Sequence, residues 1–171
     1  MTPFATPERR KHRVGDRRLA EYALAVRRAL PQALMTHLYP RSDIRLHLQL
    51  LTSDGADLTA CVTAATLALV DAGVAMTDFV VGTTVSVLDG RVLLDPTQSE
   101  ASAAAAVVHL AVLPRSRRLV LCQAASRLPA DELRAAVEAA ADGAVGVFGV
   151  VKAAVHDHAL RRMGARGLLT A

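Results

Sequence analysis

Leu50-Leu51-Thr52-Ser53-Asp54-Gly55-Ala56-Asp57-Leu58 runs straight into an apolar stretch that ends at Asp71-Ala72-Gly73. Residues 53–57 are of the polar, turn-forming type. Residues 58–72 are apolar nearly all round, the pattern of a helix buried inside a domain, and Gly73 is the glycine that stops it. Upstream, Ile44, Leu46, Leu48 and Leu50 alternate with Arg45, His47 and Gln49, which predicts a half-buried strand over 43–52. His47 then reads as an exposed strand residue and not as a ligand. A strand, a tight polar loop and a buried helix are thus expected in succession.

The rest of the chain extends this pattern on both sides. Residues 1–15 read as an extended arm carrying Pro3, Pro7 and Gly15. From Asp16, a plausible N-cap, Leu19, Tyr22, Ala23, Val26, Leu30 and Leu34 recur at helical spacing. Pro31 should kink or divide that helix, and Tyr39-Pro40-Arg41-Ser42 signals a turn. Downstream, strands at 79–88 and 91–94 flank Asp89-Gly90, a strong hairpin signal. A polar loop over 95–102 precedes a second hairpin, 107–113 and 119–125, around Pro114-Arg115-Ser116-Arg117. Pro129-Ala130-Asp131-Glu132 opens a last helix reaching to about residue 163. Gly143, Gly146 and Gly149 inside it read as a face for close backbone packing. The order is that of an α+β domain with antiparallel hairpins and no internal repeat.

Of the 171 residues 52% are hydrophobic, but only 3% are aromatic and none is Trp. The core must therefore be built from Ala, Val and Leu. Cys61 and Cys122 sit in apolar runs and read as two buried free thiols. The polar, basic N-terminus lacks the apolar centre of a signal peptide. No apolar run of about 18 residues is free of charge, so the expectation is a soluble intracellular protein with no membrane span. The net charge of +4 is uneven. Arg9, Arg10, Lys11, Arg13, Arg17 and Arg18 face only Glu8 and Asp16 near the N-terminus, and Arg161, Arg162 and Arg166 cluster near the other end. Solvated termini and a polyanion contact both account for that charge.

Three stretches share the order and spacing of a known family. The first is Phe4-Ala5-Thr6-Pro7-Glu8-Arg9-Arg10-Lys11, then Gly15-Asp16-Arg17-Arg18 and Leu38-Tyr39-Pro40-Arg41-Ser42. The second runs from Leu50 through Ser53-Asp54-Gly55 to Asp71-Ala72-Gly73. The third is Asp89-Gly90, Leu94-Asp95 and Leu113-Pro114. The chain resembles the RNase PH family, and within it exosome ring subunits of the ribosomal RNA processing protein 41 type. The resemblance implies a fold like ribosomal protein S5 domain 2, a mixed sheet packed against helices, spanning residues 16–171. Met1 falls at an internal family position, so about the first third of a family domain is expected to be missing, with strands of the sheet.

The resemblance also implies a chemistry. Phosphorolysis holds inorganic phosphate in line with a 3′-terminal RNA phosphodiester, which requires cationic or N–H donors. Active members meet that need with a small residue, a Ser or Thr and an Arg where a loop enters a helix, a natural anion site. In this chain the loop is Asp54, Gly55, Ala56, Asp57 and Leu58. Asp57 is expected to cap the helix and repel phosphate, and Leu58 stands where the guanidinium would be. Asp95 matches the family's carboxylate, thought to act as general acid or to position a metal; a loop-capping role is its plainer reading. A second acidic position is Ala101, with Glu100 beside it as a partial substitute. For Arg17 and Arg18 the resemblance implies contact with RNA phosphates or the incoming phosphate, with Arg9, Arg10 and Lys11 extending the basic track.

The leading expectation is a non-catalytic subunit of a hexameric ring of RNase PH-like proteins, scaffolding and guiding RNA in 3′–5′ processing. The resemblance implies S1/KH-type cap subunits, a hydrolytic nuclease and RNA as partners, and a location in nucleus, nucleolus and cytoplasm. It implies no cofactor and no metal, with inorganic phosphate and Mg only if the chain is active. An active phosphorolytic exoribonuclease and a small standalone basic RNA-binding protein are the alternatives.

Overall fold

A computed structural model describes residues 17–124 and 126–166. Helix α1, Arg17–Ala29, buries Ala25, Val26 and Ala29. Pro31 divides the expected helix there, because its ring cannot continue the hydrogen-bond ladder, and a 3-10 turn, Leu30–Gln32, follows. Residues 33–39 are then stitched to 75–77. Met35 N–H donates to the Ala75 carbonyl at 3.1 Å and Thr77 N–H to that of Ala33 at 2.8 Å, while the Tyr39 hydroxyl accepts from Ala75 N–H at 2.8 Å.

Helix α2, Asp57–Asp71, is the buried helix of the sequence reading. Its end is stapled as expected: Gly73, at φ 75°, donates to the Val70 carbonyl and Val74 to that of Leu69, which satisfies the last free carbonyls. Burial is one-sided, however. Leu58, Val62, Ala65 and Leu69 lie in the core, whereas Ala60, Ala64 and Ala68 form an exposed stripe.

Strands β1, Val81–Leu88, β2, Arg91–Leu94, β3, Ala106–Leu113, and β4, Arg118–Ala124, form one sheet in the order β2-β1-β3-β4. Among the described residues its pairings are all antiparallel, because the connections are hairpins and one short helix and a parallel crossover needs a dozen residues or more. Asp89 at φ 49° and Gly90 at φ 72° make the tight turn. The expected polar loop 95–102 contains helix α3, Gln98–Ala103, started by a reciprocal cap between Thr97 and Glu100.

Helix α4, Ala130–Ala165, covers one face of the sheet with Ala136, Ala140 and Ala144, all fully buried. Thr83 donates to the Ala140 carbonyl from beneath. Helix α2 lies on the other face so closely that a Cβ on Gly82 would stand 2.6 Å from the Thr59 carbonyl oxygen, and α1 packs outside α2 in the same apolar cluster. Gly143 packs against Leu94, but Gly146 and Gly149 face open space, so the expected packing face narrows to one glycine. By length and composition alone α4 is long and apolar enough to cross a membrane, with a window of mean hydropathy 1.3 that holds scattered charges. Cys61 and Cys122 are free, and Cys122 is exposed rather than buried because it lies on edge strand β4.

The expected strand at 43–52 is not formed among the described residues. The segment is extended in sequence pattern, but its backbone has no described strand beside it, and a strand exists only as one side of a ladder.

Candidate RNA and phosphate site

The loop that enters α2 is clamped onto the turn after β2. Gly55 sits at φ 113°, where L side chains are strained, and a Cβ there would lie 2.3 Å from the Pro96 carbonyl oxygen. Asp54 Oδ1 accepts the Gln98 N–H at 3.0 Å. These contacts bring together the loop 53–58 and Asp95, two features separated in sequence. Asp95 takes φ 53°, its N–H donates to the Thr84 carbonyl at 2.9 Å, and its side chain is exposed.

Asp57 does not cap α2. The N-cap is Ala56, without a side-chain cap, because the Asp57 carboxylate turns inward. Only 2% of that side chain is exposed. Its Oδ2 accepts from the Ser53 hydroxyl at 2.7 Å and from an Arg18 guanidinium nitrogen at 3.3 Å. Arg18 also donates from Nε to the Tyr22 hydroxyl at 2.9 Å and lies over the Tyr22 ring, 5.4 Å from its centroid. Burial pushes the Tyr22 hydroxyl above its ordinary range, against the opposing pull of the Arg18 hydrogen bond. The Arg18 side chain is one third exposed.

Leu58 is fully buried in the cluster formed with α1. It is a core residue and does not line the loop. Arg17 is 93% exposed and pairs with Glu21 at 2.9 Å, so the two neighbouring arginines stand in different surroundings. Arg9, Arg10 and Lys11 lie outside the described residues. Glu100 is engaged in the cap of α3: its Oε2 accepts from the Thr97 N–H at 2.8 Å and hydroxyl at 2.9 Å, and those bonds hold its carboxyl below the usual range. Ala101 lies in the same short helix.

A polar relay missed by the sequence reading runs beneath the loop. Thr59 Oγ1 donates to the Ala56 carbonyl and lies 2.8 Å from Thr84 Oγ1, which lies 3.1 Å from His109 Nδ1. Thr84 and His109 are opposite each other in the β1–β3 ladder, a register invisible before the strands pair. Burial lowers the His109 pKa below 6.5; the Arg18 charge lowers it further and Asp57 opposes. The C-terminal arginines are tied elsewhere, Arg161 to Asp157 and Arg162 to Asp71, with His158 also on Asp71 at 3.2 Å. Among the described residues no three His, Cys, Asp or Glu side chains gather in one place.

An antiparallel sheet packed between helices, with a glycine-bearing loop and an acidic turn meeting at one helix start, defines an α+β domain. The chain belongs to the 3′ exoribonuclease (RNase PH) family. Residues 1–75 match domain 1 of that family and residues 78–143 match domain 2. It is similar to the mouse exosome complex component RRP41, with 40% identity over 91% of this chain and 63% of that protein. It is similar also to Rrp41 of Thermococcus kodakarensis, 35% identical over 94% of this chain and 64% of the relative. The chain thus spans just under two thirds of these curated relatives' length. Rice Rrp46 shares the fold, with a TM-score of 0.77 at 20% identity, over 85% of this chain and 68% of that one.

Proposed function

We propose that this chain is a non-catalytic ring subunit of an exosome-like assembly that scaffolds and guides RNA in 3′–5′ processing and degradation. The names of its relatives, exosome complex component RRP41, support the assembly. The partners are then other RNase PH-like subunits, S1/KH-type caps, a hydrolytic nuclease and RNA, in the nucleus, nucleolus and cytoplasm.

The observation that carries the non-catalytic reading is the Asp57 carboxylate. The donors beside the loop, the Ser53 hydroxyl and the Arg18 guanidinium, converge on Asp57 Oδ2. A resident anion therefore takes the place that a phosphate oxygen needs, and removing even one well-aimed donor costs about two to three orders of magnitude in rate. RNA contact falls to Arg17, exposed at the start of α1, and to Arg9, Arg10 and Lys11.

The test is a reconstituted ring incubated with 3′-labelled RNA and inorganic phosphate. No nucleoside diphosphate should be released through this subunit. Phosphate-dependent release that disappears on Asp95→Ala would establish the phosphorolytic alternative, which the exposure of Asp95 beside Gly55 favours.

A further inference from the structure

The threonine hydroxyls beneath the loop have one proton each, and that fixes the direction of the chain they form. A carbonyl can only accept, so the Thr59 hydroxyl gives its proton to the Ala56 carbonyl, which also takes the Ala60 N–H at 3.0 Å. Thr59 Oγ1 therefore accepts across the 2.8 Å contact with Thr84, and Thr84 is the donor. Thr84 then has no proton left for His109 Nδ1 at 3.1 Å, so the ring nitrogen must donate. Thr84 also holds the other half of the site, since its carbonyl accepts the Asp95 N–H at 2.9 Å. Its side chain is buried in β1, flanked by β2 and β3 and covered by α2.

We propose that His109 is a positioning residue of the candidate site: it carries its proton on Nδ1 and, by donating to Thr84, orients a one-way chain that fixes the start of α2 against the Asp95 turn. Which ring nitrogen holds the proton is set by the partners of the ring. Here the Ala56 carbonyl sets it from three hydrogen bonds away. With the proton on Nε2 alone, Thr84 would have to donate to the ring and Thr59 to Thr84. The Thr59–Ala56 contact would then face two oxygens with no proton between them, and an unpaired buried acceptor is costly. A second proton goes to Nε2 and leaves the Nδ1–H bond in place. The chain therefore survives acid, and acid adds only a half-buried charge beside Arg18 of α1, with Asp57 of α2 opposing. The positioning holds whatever the loop binds, so it goes beyond the ring-subunit reading and its failure leaves that reading intact.

The test uses the full chain with histidine ring nitrogens labelled for NMR, at a pH above the ordinary histidine range. The ring assigned to His109 by its absence in His109→Gln should show a protonated Nδ1 and a bare Nε2. Thr84→Val removes the hydroxyl at nearly equal volume, and the ring should no longer hold that single form. The Ala60 and Gln98 amides report the start of α2 and the Asp54 link to the turn. In Thr84→Val both should exchange about tenfold faster, the loss of roughly one net hydrogen bond in a local opening. Thr84→Ser should restore both readings. His109→Leu should quicken the same amides with little change in melting temperature, which separates positioning from folding and serves where Thr84→Val does not fold. A His109 ring protonated on Nε2 alone in the parent overturns the proposal, and so do Ala60 and Gln98 amides that exchange in His109→Leu as they do in the parent.

Discussion

Arg18 and Asp57, 39 positions apart, form a 3.3 Å ion pair at the point where the first helix passes the start of the second. One partner is almost wholly buried and the other one third exposed. Water therefore screens the guanidinium in part, while the carboxylate relies on its protein donors. Deleting the donor is then worse than neutralising the acceptor. Arg18→Ala leaves a buried charge held by Ser53 and should cost about 2–3 kcal/mol. Asp57→Asn keeps the shape and one acceptor, and should cost about 1 kcal/mol. Thermal melts of both variants and of the double variant check this, and near-additive losses would show that the pair is not coupled.

Gly55 makes the contact between the loop and the Asp95 turn possible. In Gly55→Ala the new methyl meets the Pro96 carbonyl at 2.3 Å and the residue keeps φ 113°, so loop or turn must move. The expected loss is about 2–3 kcal/mol, accompanied by faster exchange of the Gln98 amide that Asp54 now holds. Gly90→Ala is the control. It meets the φ cost alone, at 72° with nothing within 4 Å, and should lose about 1 kcal/mol. Equal losses in the two variants would remove the clamp from the explanation.

Much of the fold was legible because its signals are local. Gly73 after an apolar run and Asp89-Gly90 between two others each act through their own backbone, and both hold. Thr97 and Glu100 also formed a local signal, a capping box, which the polar composition of 95–102 obscured. Segment 43–52 failed for a different reason: alternation records which face is apolar, but a strand also needs a neighbour. At the site, the loop and Asp95 were legible as motifs. Their surroundings were not, since Asp57 faces Arg18 through a helix crossing and Thr84 faces His109 through sheet register. Leu58 shows the same limit, because the direction in which a helical residue points depends on what the helix packs against.

His109 should make stability pH-dependent in a definite window. Its folded pKa is depressed below 6.5, first by burial and then by Arg18, so below that pH the unfolded chain binds a proton that the folded chain resists. Stability is constant in this respect above the unfolded value and falls as pH drops through 6.5 toward the folded value. His109→Gln should flatten the denaturation midpoint over that range. The losses tied to Glu100 and Asp71, whose pKa values are lowered from 4.5 and 3.8, come only at lower pH and should persist. A midpoint curve unchanged by the substitution would show that His109 is not the group titrating.

The two neighbouring arginines should separate RNA contact from folding. Among the described residues Arg17 is held by an exposed pair four residues along α1, and such pairs contribute a few tenths of a kcal/mol. Arg17→Ala should therefore leave the melting temperature within about 1 °C. If Arg17 meets RNA phosphate, the variant weakens single-stranded RNA binding uniformly across sequences and reduces the slope of log affinity against log salt by about 0.7. Arg18→Ala should instead lower the melting temperature, and at temperatures where it is folded its salt slope should stay near that of the parent, because Asp57 already neutralises that guanidinium. Fluorescence anisotropy over a salt series measures both slopes. An unchanged slope for Arg17→Ala, or a larger change for Arg18→Ala, would reassign the phosphate contact to the residue that the ion pair holds.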